Sequence, residues 1–319
     1  LILKKVDLSL RLSLWLKLIL LLFVWSTLVP LSAQAEAKQG YSQPKKTKKY
    51  KKKRHRRHVR RWRPYVTARS AIVMDADTGQ IYYQKAPRRP GQPASTIKVL
   101  TALLALEYLD EEAYVYVSRN AARMPKSKVY LRPRHFYRAR DLIYACLLKS
   151  ANDASVALAE AVAGSEKAFA QMMTAYARAI GAKDTICKTA TGLTAPGQQT
   201  TAYDLAIIFR QAMENPRLAS MLSRRRATLR GVRKVHLIHS HNQALWLFRG
   251  CLGGKTGYTA VAGRTYVGMF KRHGRRVIIA FLGSRSLWRD LGRLLRKVPP
   301  KTYVARKNRR SAKGSAKGG

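Results

Sequence analysis

Two segments with strand-like alternation lie far apart in this chain and enclose a helical middle. The first, "VTARSAIVMDADTGQIYYQK" at 66–85, alternates and turns at Asp77-Thr78-Gly79, which predicts a β-hairpin. The second, "GRTYVGMFKRHGRRVIIAFLGS" at 263–284, is two alternating runs around His273-Gly274. Between them helical patterns begin at Ser95, Arg140, Glu166 and Ala202, and a final helix follows from about Ser286. Strands so separated bury their apolar faces most readily in one shared sheet. The expectation is an α+β domain whose antiparallel sheet joins N- and C-terminal strands around a helical middle.

Outside this region the chain is basic and lacks apolar periodicity. Residues 36–63 read "EAKQGYSQPKKTKKYKKKRHRRHVRRWR", a composition that predicts a disordered linker. Residues 297–319 predict a disordered basic tail by the same reasoning. Before the linker, Lys4, Lys5, Arg11 and Lys17 precede "LILLLFVWSTLVPL" and Ala33-x-Ala35, so residues 1–35 read as a secretory signal peptide cleaved after Ala35, or as an uncleaved anchor. Either reading exports the protein to the periplasm or cell envelope, possible membrane association included. The globular part is then 64–296.

With 63 Lys+Arg against 16 Asp+Glu, the formal net charge is +47. Such an excess attracts polyanions. Export excludes most nucleic-acid roles, which leaves anionic membrane or wall polymer as partner of the basic tails. Cys146, Cys187 and Cys251 are too few and too dispersed for a disulfide framework. His236, His239 and His241 in "HLIHSHN" lack a neighbouring carboxylate; His239 and His241 are placed on one strand face, but no metal site is expected there. No cofactor is implied.

Three short motifs carry chemistry. "PASTIKVLTALLALE" opens a buried helix yet places Lys98 in its first turn, three residues after Ser95 and on the same face. A buried ammonium needs a reason. Desolvation and another cation would lower its pKa and make it a base for Ser95, while the helix N-terminus offers N–H groups to an oxyanion. "KSANDAS" puts Ser150 and Asn152 in a break between two helical runs. "GGKTGYT" lies directly before the first C-terminal strand and supplies Lys255, Thr256 and Gly257, a glycine that would let a substrate backbone approach a strand edge; alone it could be a turn before a hairpin. Each motif alone is weak: "SQPK" at 42–45 and "SHN" at 240–242 repeat two of the patterns without meaning.

In this order the three match the signature of penicillin-recognising serine acyltransferases. With "DADTGQIYYQK", "LLKSANDASVALAEAVAG" and "TGLTAPGQQTTAYDLA" the chain resembles low-molecular-mass D-alanyl-D-alanine carboxypeptidases of serine peptidase family S11, over about residues 65–295. The resemblance implies a β-lactamase/transpeptidase-like fold and a penicillin-sensitive attack by Ser95 on the bond between the terminal D-alanines of peptidoglycan stem peptides. It makes Lys98 the base, Ser150 and Lys255 a proton relay, and Asn152 a holder of the substrate amide. Thr256, helped by Lys255, would bind the terminal carboxylate. Gly257 would let the substrate approach, and the N–H groups of Ser95 and Tyr258 would form the oxyanion hole. Ser150 and Asn152 are expected as hydrogen-bond partners of Lys98. Arg289 resembles a carboxylate-binding arginine of some members. β-Lactam antibiotics are implied ligands. The second β-rich domain and the C-terminal amphipathic anchor of many relatives are not expected.

Three other functions are weighed against this one. A D,D-endopeptidase would use the same chemistry on cross-links. A non-catalytic polyanion-binding wall protein would rest on the tails alone. A class A β-lactamase would need a Glu-x-x-x-Asn loop between the second and third motifs, and none is present.

Overall fold

The computed structural model describes residues 65–231 and 235–300, all within one compact unit. The expected signal segment, linker and most of the tail lie outside the described residues.

The strands are β1 (Ser70–Asp75), β2 (Ile81–Lys85), β3 (Tyr114–Tyr116), β4 (Phe136–Arg138), β5 (Arg226–Arg230), β6 (Val235–His239), β7 (Cys251–Thr259), β8 (Gly263–Arg272) and β9 (Arg275–Ser284). The helices are α1 (Lys98–Tyr108), α2 (Arg119–Arg123), α3 (Ala139–Leu148), α4 (Asn152–Ala163), α5 (Glu166–Ala179), α6 (Ala202–Glu214), α7 (Pro216–Ser223), α8 (Ala244–Leu247) and α9 (Leu287–Leu295). Five strands form one sheet in the order β2-β1-β9-β8-β7, every pair antiparallel. The terminal segments therefore share a sheet, as their alternation predicts. Two further two-stranded sheets, β3-β4 and β5-β6, have no counterpart in the sequence reading.

Alternation along the sheet builds two cores. Ile72, Met74, Val267, Met269, Ile278 and Ala280 point to the helical layer, whereas Ala71, Val73, Tyr266, Phe270, Ile279 and Phe281 point the other way. The second face is covered by α9, whose Leu287, Leu291, Leu294 and Leu295 recur at helical spacing. A buried carboxylate fixes that helix to the chain entering β1: Asp290 accepts from the Thr67 and Ala68 amides at 2.9 to 3.0 Å and from the Ser284 hydroxyl at 2.7 Å.

On the first face α1 is the central helix. Residues 98 to 106 are buried without interruption, and α3, α4, α5 and α6 pack around it. Such a helix has no polar face, so Lys98 must find partners inside the protein.

Candidate active site

The helix expected from Ser95 begins as a tight 3-10 turn, Ala94–Ile97, that continues into α1. Ala94 is held at φ 49°, a left-handed conformation disfavoured for a residue with a side chain. The carbonyl of Pro93 accepts from Thr96 Oγ1 at 2.6 Å and from Thr265 Oγ1 at 2.9 Å, which ties this turn to β8. Ser95 is thereby fixed half-buried at the wall of a cleft of about 770 Å³.

Lys98 lies beneath it, 0% exposed. Its Nζ is 2.7 Å from Asn152 Oδ1, 2.6 Å from the Thr191 carbonyl and 3.1 Å from Ser95 Oγ. A neutral amine has two N–H bonds and one lone pair. Two carbonyl-type oxygens take the N–H bonds, so the lone pair is left for the Ser95 hydroxyl. Burial pushes the Lys98 pKa down to about 8.

Lys255 is 1% exposed and stands on β7. It donates to Ser150 Oγ and to the Thr256 carbonyl, both at 2.9 Å. Burial and then the Lys98 cation push its pKa down to about 7. The effect of a second cation, expected on Lys98, thus falls on Lys255. Ser150 pairs with Lys255, not with Lys98, because it sits in the left-handed region at φ 59° in the break between α3 and α4. Asn152 opens α4 and does face Lys98.

The amide of Asn152 is already occupied. Its Nδ2 donates to the Pro125 and Lys126 carbonyls at 3.0 and 3.2 Å, while its Oδ1 accepts from Lys98. In this arrangement Asn152 positions Lys98, and holding a substrate amide would require exchange of one of these bonds.

Thr256, Gly257 and Tyr258 line the same cleft. They lie inside β7, an edge of the sheet, and not before the strand or in the turn that was the alternative for this motif. Gly257 is required by proximity: an added Cβ would lie 2.8 Å from the Ser95 amide nitrogen and 3.0 Å from Ala94 Cβ. Tyr258 is exposed on the outer rim.

Arg289 does not line this cleft. It stands on α9 and lines a second cavity, whereas Arg264 and Arg285 line the first. Residues 285–288 still line the cleft, and Arg289, the next along α9, faces the second cavity.

Thr191 and His241 are additions that the motifs did not reveal. Thr191 acts through its carbonyl, and its segment is pinned by Glu166 Oε1 accepting from the Ala190 amide and by Thr101 Oγ1 donating to the Ala190 carbonyl. Glu166 does not line the cleft. His241 lines it but lies beyond the end of β6, so it does not share a strand face with His239.

Comparison with known proteins identifies the family. The family model described as D-alanyl-D-alanine carboxypeptidase, peptidase S11, matches residues 57–286. The D-alanyl-D-alanine carboxypeptidase DacB2 of Mycobacterium tuberculosis is 38% identical over 217 residues, covering 67% of this chain and 74% of its own length. DacF of Bacillus subtilis is 32% identical across 69% of this chain but only 58% of its own length. A crystal structure of a D-alanyl-D-alanine carboxypeptidase from M. tuberculosis superposes with a TM-score of 0.70 at 34% identity, over 74% of this chain and 93% of that one. A mutant Streptomyces DD-transpeptidase superposes at 0.68 with 25% identity, over 74% of this chain and 98% of that one. By the extent of the family match and the identity to its members, the chain belongs to the D-alanyl-D-alanine carboxypeptidase family, peptidase S11.

Proposed function

We propose that this chain is a penicillin-sensitive serine D,D-carboxypeptidase that removes the terminal D-alanine from peptidoglycan stem peptides. The observation that carries the reading is the contact set of Lys98 Nζ, which leaves one lone pair directed at Ser95 Oγ. Lys98 takes the Ser95 proton as Oγ attacks the carbonyl between the two D-alanines. The Ser95 and Tyr258 amides receive the oxyanion. Ser150, bonded to Lys255, passes a proton to the leaving D-alanine. Thr256 and Lys255 receive the terminal carboxylate, and Gly257 lets the substrate lie along the β7 edge. Water then hydrolyses the acyl-enzyme. Asn152 keeps Lys98 in place.

The N-terminal segment is proposed to export the chain to the cell envelope. There the basic flanks would hold it against anionic membrane or wall polymer.

Intact-protein mass after brief exposure to benzylpenicillin tests the reading. Wild type gains a penicilloyl increment that persists for minutes, and Ser95→Ala does not. Release of free D-alanine from a pentapeptide must follow. Rapid loss of the adduct would point to β-lactamase-like turnover. Activity on cross-linked dimers, with none on the pentapeptide, would point to an endopeptidase. Folded protein that forms no adduct would sink both.

A further inference from the structure

The second cavity, also about 770 Å³, adjoins the catalytic cleft through Arg285, which lines both. Its cationic lining is all arginine: Arg69, Arg285, Arg289 and Arg293. A lysine buried among cations can lose its proton, as Lys255 is inclined to do. A guanidinium cannot, so these four charges remain and repel one another.

Their arrangement is built. Arg69 crosses over Gly283, where any side chain would run into its stem, and its Nη2 donates to the Val261 and Ala262 carbonyls at 3.1 and 2.7 Å. Arg293 donates to the Tyr65 carbonyl at 2.9 Å, and the Tyr65 hydroxyl returns a bond to the Arg293 carbonyl at 2.7 Å. Arg289 and Arg293 are one helical turn apart on the same face of α9. Among the described residues none of the four forms an ion pair. The one carboxylate behind the lining, Asp290, is turned away and saturated by Thr67, Ala68 and Ser284.

We propose that this cavity is a binding site for a diphosphate group. Arginine forks match phosphate oxygens bidentately. A single carboxylate would leave three of the four charges unmatched, whereas a diphosphate carries several negative charges on adjacent oxygens. The cavity, at about 770 Å³, leaves room for more than the diphosphate group itself. Because Arg285 is shared with the cleft, a molecule anchored here borders the cleft that Ser95 lines. The site does not depend on the proposed reaction, and its test uses none of the catalytic chemistry.

Inorganic pyrophosphate is titrated calorimetrically into the full chain at near-physiological salt, with citrate as a multiply charged carboxylate control. Wild type shows one saturable site above the diffuse binding of its other cations. Arg289→Gln weakens that site at least tenfold, and Arg289→Lys, which keeps the charge but loses the fork, weakens it severalfold. Arg226→Gln, on the exposed β5, changes it less than twofold, since it removes one of 63 basic residues elsewhere. Thermal melts confirm that each variant is folded, and Arg293→Gln replaces Arg289→Gln if that one is not. ADP and farnesyl diphosphate then compare a soluble with a lipid-borne diphosphate. No saturable phase, equal affinities in all variants, or citrate binding as tightly as pyrophosphate would overturn the proposal.

Discussion

In the proposed reaction, protonation of Lys98 decides whether Ser95 can lose its proton. Only the neutral amine offers a lone pair, and with a pKa of about 8 the neutral fraction grows about tenfold per pH unit below that value. The second-order rate of acylation by benzylpenicillin should therefore rise steeply from pH 6 and level off above about 8. Lys98 and Lys255 interact, so the observed midpoint belongs to the pair. A flat profile would remove Lys98 as the base. Asn152→Ala takes away one of the two acceptors that aim Lys98. Loss of that aim should slow acylation about 10²-fold while the protein remains folded, a magnitude typical of a reacting group misplaced by about an ångström.

The side chains brought together around the cleft were legible because side-chain identity and spacing encode them: Ser95 and Lys98 had to share a helix face. Thr191 was not legible, since a backbone carbonyl leaves no mark on the residue that carries it. Arginines were not legible either, because in a chain with 63 basic residues one more has no contrast. Arg289 was assigned by resemblance alone, and it lines the next cavity.

At the scale of elements, strand alternation recovered β1, β2, β8 and β9, where each strand has two clearly different faces. It missed β7, whose glycine-rich motif it placed directly before the first C-terminal strand. Those glycines are there for close approach: Gly257 leaves room for the Ser95 turn against the strand. Gly257→Val should therefore abolish acylation, with benzylpenicillin adduct formation at least 10²-fold slower by mass. A melting temperature lowered by only a few degrees would show that the loss is local. The β3-β4 and β5-β6 pairs went unseen because each of their strands buries a single residue, Val115, Tyr137, Leu229 or Ile238, which is no repeating apolar face. The break between α3 and α4 was visible as "KSAN", but not its left-handed Ser150, which is what directs that hydroxyl to Lys255.

Across the whole molecule, two kinds of electrostatics operate at once. The buried lysine pair is shielded from solvent ions, whereas the surface excess behind the +47 charge is not. Raising salt from 50 to 500 mM should leave pentapeptide hydrolysis within about threefold. Binding to anionic vesicles or phosphodiester polymer should fall by orders of magnitude over the same range, as counterion release requires. Equal sensitivity of the two would mean that the catalytic site itself relies on surface charge.

Tyr65 and Arg293 are bonded reciprocally, and the Lys297 ammonium lies 4.3 Å from the centre of the Tyr65 ring. The beginning and the end of the described residues thus meet at one spot. If the basic sequences on either side both bind a polyanion, as proposed, their contacts start from a common root and are not independent events. The first contact raises the effective concentration of the second, so the two affinities combine as a product, not a sum. Removing either flank would then forfeit far more than half of the holding power.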